Sequence, residues 1–144
     1  MEPIAVATTI KAPIAEVWRR LENLESHQEW MGDVGSLSFV GDQRHGLGTR
    51  LQVETRVGPM RVTDEMVVTV WDPPHRMRIE HLGIVKGTGE FILSPIGGAT
   101  RFTWIEDLRF PWRLGGAFTA IASRPILASI WRRNLSRFKE LVLG

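Results

Sequence analysis

Cysteine and tyrosine are both missing from these 144 residues. Without cysteine there is no disulfide, no thiol nucleophile and no thiolate to hold a metal. Without either residue little titrates between neutrality and the lysine range, so a net charge of only +2 produces a pI near 9.7. That pI is no argument for nucleic acid as a partner, and none is expected: the basic residues are nearly all arginine, spread along the chain with no dense run. A long apolar run is lacking as well. The stretch Leu114 to Trp131 is broken by Arg124 and Pro125 and followed by Arg132-Arg133, which falls short of a membrane span. The opening Met1-Glu-Pro-Ile4 has neither the basic nor the apolar region of a secretory signal. The expectation is a cytoplasmic protein with at most transient membrane contact, monomeric or a homodimer.

Two further signals are weak. The four histidines, His27, His45, His75 and His81, have no metal-ligand spacing, so no metal is expected. Gly46-Leu-Gly48 and Gly87-Thr-Gly89 open no predicted helix, so neither reads as a phosphate loop and no cofactor is expected.

What is present is apolar pattern. Six tryptophans point to heavy aromatic packing or to aromatic walls around a cavity. Ile4 to Ile10 reads as a strand; Ala12-Pro13 stops it and starts a helix with Ile14, Val17, Trp18 and Leu21 on one face. A second short helical segment is predicted over Leu24 to Trp30, ended by Gly32. Period-two segments then recur: Val34–Val40, Thr49–Val57, Met60–Trp71, Arg76–Leu82, Val85–Leu93 and Thr100–Phe110. Gly58-Pro59, Asp72-Pro-Pro74 and Ser94-Pro-Ile-Gly-Gly98 mark turns between them. After Pro111 the period becomes three and four, from Leu114 through Phe118, Ile121, Trp131, Leu135 and Phe138 to Val142. This predicts a long amphipathic helix, kinked near Pro125, which cannot donate to the carbonyl of Ile121. With no linker or repeat, residues 1–144 read as one α+β domain, an antiparallel meander that buries one face against the last helix.

Particular segments also carry a resemblance. They are Ile10-Lys-Ala-Pro-Ile-Ala-Glu-Val-Trp18, Trp30, Trp71-Asp-Pro-Pro-His-Arg-Met77, Gly89-Glu-Phe-Ile-Leu-Ser-Pro95 with Gly97-Gly-Ala-Thr-Arg-Phe-Thr-Trp104, and the closing Asn134-Leu-Ser-Arg-Phe-Lys-Glu-Leu141. Together they resemble the polyketide cyclase/dehydrase branch of the START-like (SRPBCC) superfamily over nearly the whole chain. The resemblance implies a helix-grip fold, a curved sheet of about seven strands around a long C-terminal helix, holding a small hydrophobic ligand between the two. It carries no invariant catalytic motif, so it transfers no residue role.

Candidate chemistry comes from polar residues on faces that otherwise read as buried. Asp64 lies between Val62 and Met66, His81 continues the face of Met77 and Ile79, and Glu106 continues that of Phe102 and Trp104. A carboxylate on an apolar face costs several kcal/mol unless it is paired or wet. The three could line one pocket, with His81 as proton shuttle and Asp64 or Glu106 as its partner, suiting aldol-type cyclisation or dehydration. The plainer reading is that a bulge or a frayed strand end leaves each of them in solvent. Trp30, Val53, Met66, Phe91, Trp104, Phe118 and Ile121 are the candidate ligand-cavity residues, against plain core packing as the alternative. Gly87 and Gly89 share a face with Phe91; they leave ligand room or ease sheet curvature.

Three functions follow in order of economy. The first is a carrier or sensor of a lipid, polyketide or similar apolar metabolite. The second is a cyclase or dehydratase that uses His81, Asp64 and Glu106. The third is an interaction module acting through its outer surface, which predicts a filled core and an exposed apolar patch.

Overall fold

The computed structural model describes residues 2–110 and 124–144. Strand β1 (Ile4–Ile10) leads into helix α1 (Ile14–Leu21), a 3-10 turn (Leu24–Ser26) and the one-turn helix α2 (His27–Trp30). Six strands follow: β2 (Val34–Phe39), β3 (Arg50–Val57), β4 (Met60–Asp72), β5 (Arg76–Leu82), β6 (Lys86–Ile96) and β7 (Ala99–Arg109). Helix α3 (Arg124–Leu143) closes the chain. The seven strands make one antiparallel sheet in the order β1-β7-β6-β5-β4-β3-β2. It is a curled half-barrel with the C-terminal helix against it and the short helices after its first strand, the α+β helix-grip architecture.

Period two decides what the sheet buries. Along β7, Phe102, Trp104, Glu106 and Leu108 are buried while Arg101 and Arg109 stay in solvent. One strand departs from simple alternation. A register shift between Val68 and Val70 adds a residue to β4. Val70, which strict alternation from Asp64, Met66 and Val68 would put on the inner face, therefore pairs with Arg78, and Trp71 turns inward opposite Met77. There it meets Trp18 of α1 edge to face at 5.4 Å.

Helix α1 buries Val17, Trp18 and Leu21 and carries Glu16 in its first turn and Arg19 and Arg20 in its last, as the helix dipole favours. Helix α3 buries Leu127, Trp131, Asn134, Leu135, Phe138 and Val142, a stripe at spacings of three and four. Arg124, at its start, donates to the backbone carbonyls of Glu2 and Pro3. Phe118 and Ile121 lie outside the described residues, as does the predicted helical stretch from Leu114 to residue 123; Pro125, near which the sequence predicts a kink, stands in the first turn of α3, where its missing N–H costs no helical hydrogen bond. Among the described residues, no helix is long and apolar enough to cross a membrane.

The core centres on Trp30, whose ring lies 5.0 Å from Phe138, 5.9 Å from Phe91 and from Trp104, and 6.4 Å from Phe102. Truncating such a ring to alanine typically costs about 3–5 kcal/mol.

Candidate functional site

Between the middle strands and the helices the packing stops, leaving a cavity of about 180 Å³. Its wall is mainly apolar: Val53, Met66, Phe91, Leu108, Leu127 and Trp131 are among its lining residues, with Trp104. Of the residues expected there, Val53, Met66, Phe91 and Trp104 line it. Trp30 does not; it stands behind the wall, only 1% exposed, locked in the aromatic cluster. Large rings that fill a core leave no surface to a cavity, so apolar pattern alone does not separate the two positions.

Polar groups interrupt this wall where three strands converge. Asp64 on β4, His81 on β5 and Glu106 on β7 all line the cavity and are 6%, 9% and 8% exposed. His81 Nε2 lies 3.0 Å from Glu106 Oε2, and His81 Nδ1 lies 3.6 Å from Asp64 Oδ2. The first is a full hydrogen bond; the second is a longer and weaker contact that still favours the charged ring. The indole N–H of Trp104 donates to Glu106 Oε1 at 3.0 Å.

Backbone register makes this convergence possible. Strand β6 runs between β5 and β7, which places their backbones about 9.5 Å apart. Opposite His81 on β6 is Gly87, and opposite Glu106 is Gly89. Neither has a side chain, so the Glu106 carboxylate reaches over β6 to the imidazole. A Cβ on Gly89 would stand 2.6 Å from Glu106 Oε1. The same device recurs after β5, where a Cβ on Gly83 would fall 1.5 Å from Asp64 Oδ1. The missing side chain at Gly89, read in the sequence as ligand room or sheet curvature, is occupied by a carboxylate of the protein itself.

Because both ring nitrogens of His81 face carboxylates, both carry protons and the ring is an imidazolium. Burial, the strongest single influence, pulls its pKa down, but Asp64 and Glu106 together overcome it and hold it at about 9 instead of 6.5. Neither nitrogen then offers a lone pair to a metal, and no group of three His, Asp or Glu side chains suited to a metal ion occurs among the described residues.

Two further titratable groups line the cavity and escaped the sequence reading. His27 is buried on α2, and its Nε2–H donates to the carbonyl of Leu21 at 2.8 Å. Burial lowers its pKa to about 4 against the small opposing effect of that hydrogen bond, so the ring is neutral. Its spacing from Leu24 and Trp30 on one face of the short helices was the available signal. Asp33, in the loop after α2, accepts from Asn134 Nδ2 of α3 at 2.8 Å, and Asn134 Oδ1 accepts from the Gly32 N–H at 2.9 Å. Burial pushes the Asp33 carboxyl above the usual carboxylate range, with the charge of Glu106 adding to it; hydrogen bonds from Asn134, its own backbone and Trp131 oppose this. Nothing local in the sequence marks Asp33, since its partners arrive from a helix about one hundred residues away. Trp131 stacks on Trp104 with centroids 5.6 Å apart and planes 28° apart. Each indole of that stacked pair holds a carboxyl of the cavity, Glu106 on one side and Asp33 on the other.

A family model described as polyketide cyclase/dehydrase and lipid transport matches residues 1–142. No curated protein matches the chain in sequence. Among solved structures, a protein of Thermus thermophilus aligns with a TM-score of 0.84 at 21% identity, covering 99% of this chain and 97% of its own. A START superfamily protein from Mycobacterium smegmatis gives 0.78 at 9% identity, covering 97% and 96%. The Zhui aromatase/cyclase from a Streptomyces species gives 0.67 at 16% identity, covering 99% and 92%. At such identities these likenesses speak for the fold.

Proposed function

Because this chain belongs to the polyketide cyclase/dehydrase and lipid transport family, we propose that it encloses one small apolar molecule between its curved sheet and α3, as a carrier or sensor. The observation that carries this reading is the cavity of about 180 Å³ with its mainly apolar wall. An apolar hole of about 150 Å³ stays dry and takes up a benzene-sized molecule. The space here suits a compact ring system better than an extended acyl chain. A ligand of about ten heavy atoms supports a Kd from about micromolar to about millimolar, roughly 4–8 kcal/mol.

Native mass spectrometry beside a denatured extract of the same sample tests the proposal. A co-purifying apolar mass, lost on denaturation, supports it and identifies the cargo. An empty protein that also fails to take up a naphthalene dye contradicts it and favours an interaction module.

A second reading, cyclisation or dehydration, is favoured by the buried hydrogen bond between His81 and Glu106. Held as an imidazolium at neutral pH, His81 suits the role of general acid: it would protonate a departing hydroxyl while Asp64 takes the proton beside a carbonyl. Ultraviolet absorption of the enone formed from a β-hydroxy ketone tests it. Turnover that His81→Gln abolishes supports dehydration; equal rates with and without protein rule it out for that substrate class.

A further inference from the structure

The hydrogen-bonding capacity of the cavity's polar seam is almost fully used, and what remains open has a definite chemistry. Both oxygens of Glu106 are engaged, by His81 and by Trp104. The Nε2–H of His27 is used by the Leu21 carbonyl, and Asp33 is held by Asn134 and Trp131. Among the buried polar atoms of the described cavity-lining residues, two have no hydrogen-bond partner: Asp64 Oδ1 and His81 Nδ1. Both residues are more than nine-tenths buried and both line the cavity. Nδ1 faces Asp64 Oδ2 at 3.6 Å, and the unpartnered Oδ1 belongs to the same carboxylate, so an acceptor group and a donor with hydrogen-bonding capacity to spare stand side by side.

Few functional groups complement that pair. A hydroxyl has one proton to give and lone pairs to receive. Its oxygen fits about 2.8 Å from both atoms, donating to Asp64 and accepting from His81. An ether or ketone accepts only and leaves Asp64 unpaired. An ammonium donates only and meets the His81 N–H head on. A carboxylate donates nothing and adds a third negative charge beside Asp64 and Glu106, with only one imidazolium to balance them.

We propose that this cavity selects ligands whose polar end is a hydroxyl group, read by Asp64 and His81, and discriminates against carboxylate-headed molecules such as free fatty acids. The proposal rests on the cavity being a ligand site and adds the ligand's polar chemistry. It follows that Asp64 is a specificity determinant even if no reaction occurs there.

Three ligands with one ring system test it: 2-naphthol, 2-methoxynaphthalene and 2-naphthoate, titrated into the protein by calorimetry at neutral pH. A hydrogen bond to a charged acceptor is worth roughly a tenfold to hundredfold gain in affinity. Naphthol is expected to bind at least about tenfold more tightly than its methyl ether, with naphthoate weakest. In Asp64→Asn the naphthol advantage shrinks several-fold. Equal affinities for naphthol and its ether, or tighter binding of naphthoate, would overturn the selectivity while leaving the ligand site standing. Failure of all three and of naphthalene itself to bind would overturn the site as well. The wild-type comparison decides the matter even if the variant does not fold.

Discussion

Gly89 on β6 and Glu106 on β7 are register partners, and the carboxylate occupies the space where a side chain on the glycine would be: a Cβ there would lie 2.6 Å from Glu106 Oε1. Gly89→Ala is expected to push Glu106 off His81, destabilising the protein by about 1–3 kcal/mol and lowering the His81 pKa from about 9. Gly98→Ala is the control, since a Cβ there meets nothing within 4 Å, and should stay within about 0.5 kcal/mol. Urea denaturation of both variants, with a histidine NMR titration, checks the pair.

His81 makes stability depend on pH on the alkaline side. Its folded pKa, about 9, lies above the unfolded value of 6.5, so the folded state binds the extra proton between them. Its contribution is complete below pH 6.5 and is lost as pH rises through 9. His81→Gln, which strands two carboxylates without a cation, is expected to cost about 3–5 kcal/mol at neutral pH and to flatten that alkaline loss. Denaturation midpoints across the pH range provide the measurement.

His27 acts in the opposite sense. Its folded pKa of about 4 lies below 6.5, so the unfolded chain binds the proton first. Stability therefore falls as pH drops from 6.5 through 4, by about 3 kcal/mol for a gap of this size. In His27→Gln that acid limb disappears, and histidine NMR of the wild type assigns it directly. A His27 resonance titrating near 6.5 would refute the burial account.

Asn134 ties α3 to the loop after α2 through Gly32 and Asp33. Asn134→Ala leaves a backbone N–H and a carboxyl without their partner, with an expected loss of about 2–4 kcal/mol. Ser136→Ala, in the same helix but at an exposed position, should be nearly neutral. Thermal unfolding of the two variants compares them.

The sheet and its inner face were legible in the sequence because period two is a local property: the spacing of Phe102, Trp104, Glu106 and Leu108 needs no knowledge of the rest of the chain. The same spacing put Asp64, His81 and Glu106 on inner faces, and the structure brings these three side chains together. What local pattern does not carry is register. The bulge after Val68 that turns Trp71 inward, and the pairing that sets Gly89 opposite Glu106, depend on neighbouring strands. Asp33 was invisible for a related reason, since its environment is made by Asn134 and Trp131 of α3. Trp30 carries the converse lesson: hydrophobicity predicts burial, but whether a ring fills the core or faces a cavity is settled by its neighbours.

The most direct test of an enclosed ligand site reads the tryptophan indole N–H signals of the ¹⁵N-labelled protein while naphthalene is added. Trp104 and Trp131 line the cavity, whereas Trp18 donates to Glu22 at 2.8 Å away from it. Saturable shifts of the Trp104 and Trp131 indoles, with Trp18 unmoved, are the predicted result. Saturating naphthalene that leaves both cavity indoles unchanged would contradict the account.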